Sequence, residues 1–267
     1  MKAARHGRIG LVPTMGAFHE GHLSLMREAR KDCQTLVVSL FVNPTQFAAG
    51  EDFSKYPRNE LRDAEMADSV GVDVLFAPTT EEMYAGGLTT ISVKGVSDRW
   101  EGAHRPGHFD GVATIVCKLF NIVEANFAIF GLKDLQQCAV IRRMVVDLNL
   151  PIEVRFAPTV READGLAMSS RNVYLSPEDR VTATLLSREL RTCADSFSQG
   201  SLTAGEVERI LKDGKSLLES AGFKVDYLNL VDTESLEPKT TPADGDSVIV
   251  AARIGPTRLI DNVQLSK

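Results

Sequence analysis

Residues Thr35 to Val42 read TLVVSLFV, an unbroken apolar run rich in β-branched side chains. Alternation would mark a strand with one wet face, whereas a continuous run marks a strand covered on both faces, as in a parallel sheet flanked by helices. The neighbouring segments agree. Arg8 to Thr14 (RIGLVPT) reads as a second short buried strand, and His22 to Cys33 between them as a helix with Leu23, Met26 and Ala29 on one face. Downstream follow a helix from Arg58 to Ser69, a strand from Val72 to Ala77 and a helix from His108 to Val123. A strand from Phe127 to Phe130, a helix from Leu135 to Leu148 and a strand from Ile152 to Phe156 complete the series. Strands alternating with helices predict an α/β fold with a doubly wound parallel sheet, whose ligands bind at the carboxyl ends of the strands.

The order changes after about Thr159. Two helical stretches, Pro177 to Phe197 and Thr203 to Ala221, precede strands at Lys224 to Val231, Ser247 to Arg253 and Thr257 to Ile260. Helices grouped before strands predict a smaller α+β domain, which divides the chain into residues 1–159 and 160–267. Pro158 to Asn172 (PTVREADGLAMSSRN) reads as a polar, flexible junction loop.

Composition excludes several functions. Of 267 residues, 43% are hydrophobic and 25% charged, as in ordinary globular proteins, and the net charge of −6 argues against general nucleic-acid binding. The longest strongly apolar stretch, Leu36 to Val42, falls far short of the roughly 20 residues a membrane-spanning helix needs. The basic start MKAARHGRIG has no signal-peptide core. Cys33, Cys117, Cys138 and Cys193 show no paired spacing, which fits reduced, buried thiols in the cytoplasm and neither a disulfide framework nor a zinc site.

Five segments carry chemistry. Pro13 to His22 (PTMGAFHEGH) runs from a strand end into a helix, where backbone N–H groups and the helix dipole favour anions. His19 and His22, three apart, project to the same side and can donate hydrogen bonds to phosphate oxygens. The spacing of Gly16 and Gly21 resembles a P-loop, but His22 and Leu23 stand where lysine and Ser/Thr would be. Ser39 to Phe47 (SLFVNPTQF) ends a strand in Asn43 and Gln46, neutral amides suited to a substrate bearing hydroxyl and carboxylate groups. Asn43 is equally well explained as a turn former.

Arg105 in RPGHFDG offers a planar donor fork for phosphate, and a solvated loop arginine is the competing reading. In FGLKDLQQ, Gly131 permits close approach, Lys133 supplies charge, and Asp134 either accepts from ribose hydroxyls or caps the helix; Gln137 lies one turn in. Met168 to Asn172 (MSSRN) brings Ser169, Ser170 and Arg171 together as a pyrophosphate clamp able to close over a nucleotide.

PTMGAFHEGH, SLFVNPTQF, EGAHRPGHFDGVATIVCKLFNIV, FGLKDLQQ and PTVREADGLAMSSRNVYLS, in this order over most of residues 8–176, resemble the pantothenate synthetase family. The HxGH element is shared with other nucleotidyltransferases and class I aminoacyl-tRNA synthetases; RPGHF, GxKDxQQ and DGLAMSSRN are more specific. The resemblance implies a Rossmann-like N-terminal domain, a smaller C-terminal lid domain and a homodimer. It implies that ATP and pantoate give pantoyl adenylate and pyrophosphate with Mg²⁺, and that β-alanine then yields pantothenate and AMP. By motif position, His19, His22, Lys133, Ser169, Ser170 and Arg171 would contact phosphates, with Met168 and Arg105 also on the nucleotide. Gln46 and Gln137, with Asn43, would hold pantoate, Met15 and Phe130 would pack on its methyls, and Gly131 and Asp134 would lie at the ribose. Metal ligands are not assigned.

Phe18 and Leu135 replace the family's usual leucine and tyrosine, Met83-Tyr84-Ala85-Gly86 lacks a proline, and the chain starts close to its first strand. Two alternatives stay open: another adenylyl- or cytidylyltransferase, and a nucleotide-binding regulator without turnover.

Overall fold

The computed structural model describes residues 7–48, 50–198 and 202–266; the basic start at residues 1–6 lies outside them. Five strands form one parallel sheet: β1 (Ile9–Thr14), β2 (Thr35–Leu40), β3 (Val74–Phe76), β4 (Phe127–Gly131) and β5 (Glu153–Ala157). Their order is β3-β2-β1-β4-β5, so the winding reverses between β1 and β4, the position at which such sheets bind ligands.

The continuous apolar strands are buried on both faces, as their composition requires. On one face Val12, Leu36, Val38, Phe127 and Ile129 pack with Phe18, Leu23, Met26 and Ala29 of helix α1 (Glu20–Arg30) and its entry turn. On the other, Phe130 meets Phe120 of α5 (His108–Val123) edge-on, ring centroids 6.4 Å apart. Strand β2 stops two residues before the expected Val42, and Asn43-Pro44 turns the chain into a 3-10 turn over Pro44–Gln46. Helix α2 (Glu60–Asp68) follows. Two short helices that the sequence reading missed come next, α3 (Thr80–Tyr84), started by a Thr79/Glu82 capping box, and α4 (Glu101–His104). Helix α6 (Leu135–Asp147) joins β4 to β5.

Contacts divide the chain into two compact units, Met1–Leu132 with Val140–Pro158, and Lys133–Ala139 with Thr159–Lys267. In the second, α7 (Pro177–Thr182), α8 (Thr184–Ser198) and α9 (Ala204–Ser220) accompany an antiparallel sheet of β6 (Lys224–Val231), β7 (Ser247–Ile254) and β8 (Thr257–Gln264). Leu186, Leu190 and Phe197 of α8, Val207 and Leu218 of α9, and Leu228, Val248 and Val250 of the sheet share one core. The helix expected as one piece from Pro177 is two, divided at the buried Ala183.

Strand β8 runs four residues beyond the expected Ile260, through the polar Asp261 and Asn262. Asp261 stays in the strand because Arg161 binds it through two bonds of 2.7 and 2.9 Å, matching the charge of a side chain only 1% exposed. Arg161 also donates to the Gly165 carbonyl at 3.1 Å. The junction segment is therefore not the flexible loop expected from its composition. Met168 N–H bonds to Val160 O and Glu162 N–H to Leu166 O, closing a small hairpin that Arg161 ties to β8.

Candidate active site

The turn after β1 is strapped before the helix begins. Thr14 Oγ1 donates to Ser39 O at 2.5 Å and accepts from Gly16 N–H at 3.2 Å. Gly16 and Ala17 follow with φ of 80° and 52°, in the left-handed region. Helix α1 starts at Glu20, earlier than the expected His22, because His19 acts as its cap, a role that sequence rules reserve for Ser, Thr, Asp and Asn. His19 Nδ1 accepts from Gly21 N–H at 3.1 Å, and His22 Nδ1 accepts from His19 N–H at 3.3 Å.

These caps set the tautomer. A ring nitrogen that accepts carries no proton, so each neutral imidazole keeps its hydrogen on Nε2. The two rings lie 4.1 Å apart at 39°, both half-buried at the positive end of α1. The turn thus presents paired N–H donors suited to an oxyanion.

The second cluster centres on Gln46, which is 7% exposed. Its Nε2 donates to Met15 Sδ at 3.0 Å, and its Oε1 accepts from Asn43 Nδ2 at 3.1 Å. Asn43 is spent inside the protein. Its Nδ2 also donates to Gly111 O at 3.1 Å, and its Oδ1 accepts from Tyr84 OH at 2.7 Å, Thr45 Oγ1 at 2.9 Å and Thr45 N–H at 3.3 Å. The geometry makes Asn43 a brace for the Gln46 turn.

Helix α5 presses on this turn from the far side. A Cβ on Gly111 would fall 2.5 Å from Thr45 O and 2.7 Å from Gln46 Cα, so only glycine allows the approach. At the start of α5, His108 Nδ1–H donates to Gln46 O at 2.8 Å, which leaves Nε2 to accept from Arg105 at 3.0 Å. His108 is therefore the opposite tautomer from His19 and His22. Burial first, then the Arg105 charge, lowers its pKa to about 4, so it is neutral at ordinary pH.

Arg105 is not the solvated loop arginine of the competing reading. Its Nε and a terminal nitrogen bind Glu51 at 2.7 and 2.9 Å, with side-chain exposures of 16% and 23%. Burial pushes the Glu51 carboxyl up, but the Arg105 bonds and charge outweigh it and hold it below its ordinary range. The fork expected to grip a nucleotide is engaged with a carboxylate that the sequence reading did not single out. His108 and Glu51 were missed because both sit outside the strand-end positions that mark ligand groups; RPGHF was the available signal.

Phe130 and Gly131 end β4, with Phe130 buried, and the chain passes through a 3-10 turn at Leu132–Asp134. In the second unit, Lys133 Nζ lies 3.6 Å from Asp134 Oδ1, and Lys133 O accepts from Asn262 Nδ2 at 3.0 Å. Gln137 is half-buried on the first turn of α6. Ser169 caps the 3-10 turn Ser170–Tyr174 through Arg171 N–H at 3.2 Å, placing Met168, Ser169, Ser170 and Arg171 together just past the hairpin. The free thiols of Cys33, Cys117 and Cys193 are pushed up by burial, Cys193 to about 12, and behave as packing groups.

Residues 1–264 match the family described as pantoate-beta-alanine ligase. The chain belongs to the pantoate-beta-alanine ligase family. Relatives of the family include the pantothenate synthetase of Heliobacterium modesticaldum, 53% identical over 262 residues, which are 97% of this chain and 92% of the relative. That of Acinetobacter baumannii is 51% identical over 264 residues, 97% of this chain and 90% of its own. The solved pantothenate synthetase of Thermus thermophilus superposes with a TM-score of 0.94 at 48% identity, covering 100% of this chain and 96% of that one. The pantoate-beta-alanine ligase of Francisella tularensis, solved with beta-gamma ATP and beta-alanine, gives 0.82 at 34% identity, covering 98% and 92%.

Proposed function

We propose that this enzyme joins pantoate to β-alanine at the expense of ATP, through pantoyl adenylate, releasing pyrophosphate and then AMP. The observation that carries it is the pair of Nε2–H donors on His19 and His22, at the N-terminus of α1 and the switch point of the sheet, in a chain of this family.

A carboxylate becomes an acyl donor only when one oxygen is part of a leaving group. Attack on the α-phosphate supplies that group, and it requires an anion to approach a polyanion. His19 and His22 would donate to phosphate oxygens as charge shifts in the transition state, and Lys133, Ser169, Ser170 and Arg171 would add charge and hydrogen bonds. Gln46 would hold pantoate by its remaining amide hydrogen and Gln137 by its own amide, with Met15 and Phe130 beside the methyls. Gly131 and Asp134 would serve the ribose and Met168 the base. Asn43 and Arg105 are assigned to bracing Gln46, in place of direct ligand contact. The reaction needs no protein nucleophile, so the gain is positioning and charge stabilisation.

Among the described residues no group of three or more His, Cys, Asp or Glu could hold a metal ion. Mg²⁺ needs only one or two carboxylates beside substrate phosphates, so it would arrive on the ATP phosphates as part of the substrate, and no step is assigned to it. We assign residues 1–159 to nucleotide and pantoate binding and residues 160–267 to a lid. We also assign a homodimer, testable by light scattering, and a cytoplasmic setting, supported by four free cysteines.

The test is AMP and pyrophosphate release from ATP, Mg²⁺ and pantoate, with and without β-alanine. Steady AMP release only with both substrates is the expected result. Pyrophosphate without AMP turnover would point to an adenylate awaiting another amine, and no release at all would leave a nucleotide-binding regulator. His19→Ala and Lys133→Ala should each slow adenylate formation about 10²-fold or more. Near-normal turnover by either variant removes it from the phosphate site.

A further inference from the structure

We infer that Asp63 is a positioning residue for His19 and His22, and that it works by occupying the anion-binding concavity of their own turn. With Gly16 and Ala17 at positive φ, the successive N–H groups of Ala17 and Phe18 face one carboxylate. Such a concavity binds phosphate in other strand-to-helix turns. Here Asp63, from the first turn of α2, fills it: Oδ2 accepts from Ala17 N–H at 2.7 Å and Oδ1 from Phe18 N–H at 2.8 Å.

Three further observations bear on its role. Asp63 is 1% exposed, so the two N–H groups are its stabilising partners in place of water. The match is specific to a carboxylate, because two donors need two acceptor oxygens and an amide has one. A Cβ on Gly16 would lie 2.9 Å from Oδ2, so the turn is built around the carboxylate.

Two consequences follow for ligand binding. The backbone donors are spent on Asp63 and cannot hold phosphate, which leaves that task to the Nε2–H edges of the imidazoles. Phe18 is also the residue before the cap, so fixing its N–H fixes the entry of His19 and, through the His19–His22 cap, both tautomers. The inference rests on the assignment of His19 and His22 to phosphate.

The experiment compares wild type, Asp63→Asn, Gly16→Ala and the double variant, with Asp73→Asn as a control. Asp73 likewise accepts from a backbone N–H (Leu36) and an arginine (Arg30), but at the opposite end of β2. The readouts are kcat and KM for AMP release, and the histidine ring nitrogen signals by NMR. In Asp63→Asn, kcat should fall about 10–100-fold, the scale of a misplaced catalytic group, with the KM for pantoate changed less than about threefold.

Gly16→Ala should resemble it, and the double variant should add little, since both remove one anchor. Asp73→Asn should lose stability and keep kcat. The His19 and His22 signals should report a fixed Nε2–H tautomer in wild type and a mixture in Asp63→Asn. Identical histidine signals in the two proteins overturn the inference whatever the activity. If wild type releases no AMP, the proposed function falls, while the histidine signals still decide the part played by Asp63.

Discussion

Replacing Arg105 by methionine separates the two roles that an arginine in RPGHF can play. The side chain binds Glu51 through two bonds, donates to His108 Nε2 at 3.0 Å and reaches Gln46 O at 3.4 Å. Methionine keeps much of the volume and removes every donor. Glu51 is then left with the Ala48 N–H at 3.2 Å. Stripping one partner from a buried pair costs about 3–5 kcal/mol, and the 23% exposure of Glu51 favours the lower end. Protonation sets an independent ceiling: carrying a glutamate with an ordinary pKa to its neutral form at pH 7 costs about 3.7 kcal/mol. The loss should therefore be about 3 kcal/mol, or a fall of roughly 6–12 °C in the transition of the first unit.

The assay is thermal unfolding of the ligand-free protein together with steady-state AMP release. Arg105→Met should raise the KM for pantoate several-fold, because the Gln46 turn loses part of its support, and leave the KM for ATP nearly unchanged. Arg105→Met with Glu51→Gln should be more stable than Arg105→Met alone, with a coupling on the order of 2 kcal/mol. A nucleotide-binding arginine would give the reverse pattern: a raised KM for ATP and stability within about 0.5 kcal/mol of wild type. That result would refute the assignment of Arg105 to the Gln46 brace.

The same cluster predicts a pH dependence. His108 titrates at about 4 when folded against 6.5 ordinarily, so the unfolded chain holds more protons in that interval. Stability should rise by roughly 3 kcal/mol from pH 4 to 6.5 and be complete above it. Glu51, held below its ordinary value, acts in the same direction, its contribution lost as pH falls through its folded value. His108→Asn, which keeps a donor for the Gln46 carbonyl, should flatten the urea-midpoint profile between pH 4 and 6.5, and an equally steep profile would exclude His108 as its source. In the second unit, Arg161→Met strands the buried carboxylate of Asp261 and should cost about 3–5 kcal/mol, read by urea unfolding; a loss under about 1 kcal/mol would show that the pair does not hold the hairpin.

The sheet was legible because its strands are covered on both faces and therefore written as continuous apolar runs, with TLVVSLFV the clearest. His19, His22, Gln46 and Lys133 could be singled out as candidates because polar residues at strand ends have few structural uses. What escaped were polar residues working inside the protein. The expected last strand stopped at Ile260, since nothing local reveals that Arg161, a hundred residues earlier, supplies the charge that keeps Asp261 in β8. Arg105 read as a phosphate ligand or a solvated arginine for the same reason: its partner Glu51 is 54 residues away in an unremarked loop. His19 as a helix cap was invisible because imidazole caps are uncommon, and this moved the start of α1.

These internal pairings also explain how a chain of net charge −6 can build a site for polyanions. In the first unit two carboxylates that touch the ligand turns are each matched within the protein, Asp63 by two backbone N–H groups and Glu51 by Arg105. Neither presents an unmatched charge to an arriving phosphate, and at short range local pairing outweighs distant net charge. The caps leave each imidazole an Nε2–H to donate, so on the proposed assignment the two would orient phosphate oxygens. On the same proposal, charge compensation would fall to Lys133 and Arg171 and to whatever cation the nucleotide carries. Substitution of a histidine should consequently be felt mainly in the rate of adenylate formation, where new negative charge appears on the oxygens it contacts. Substitution of Lys133 should be felt in nucleotide affinity as well, since its charge acts on the ground state and the transition state alike.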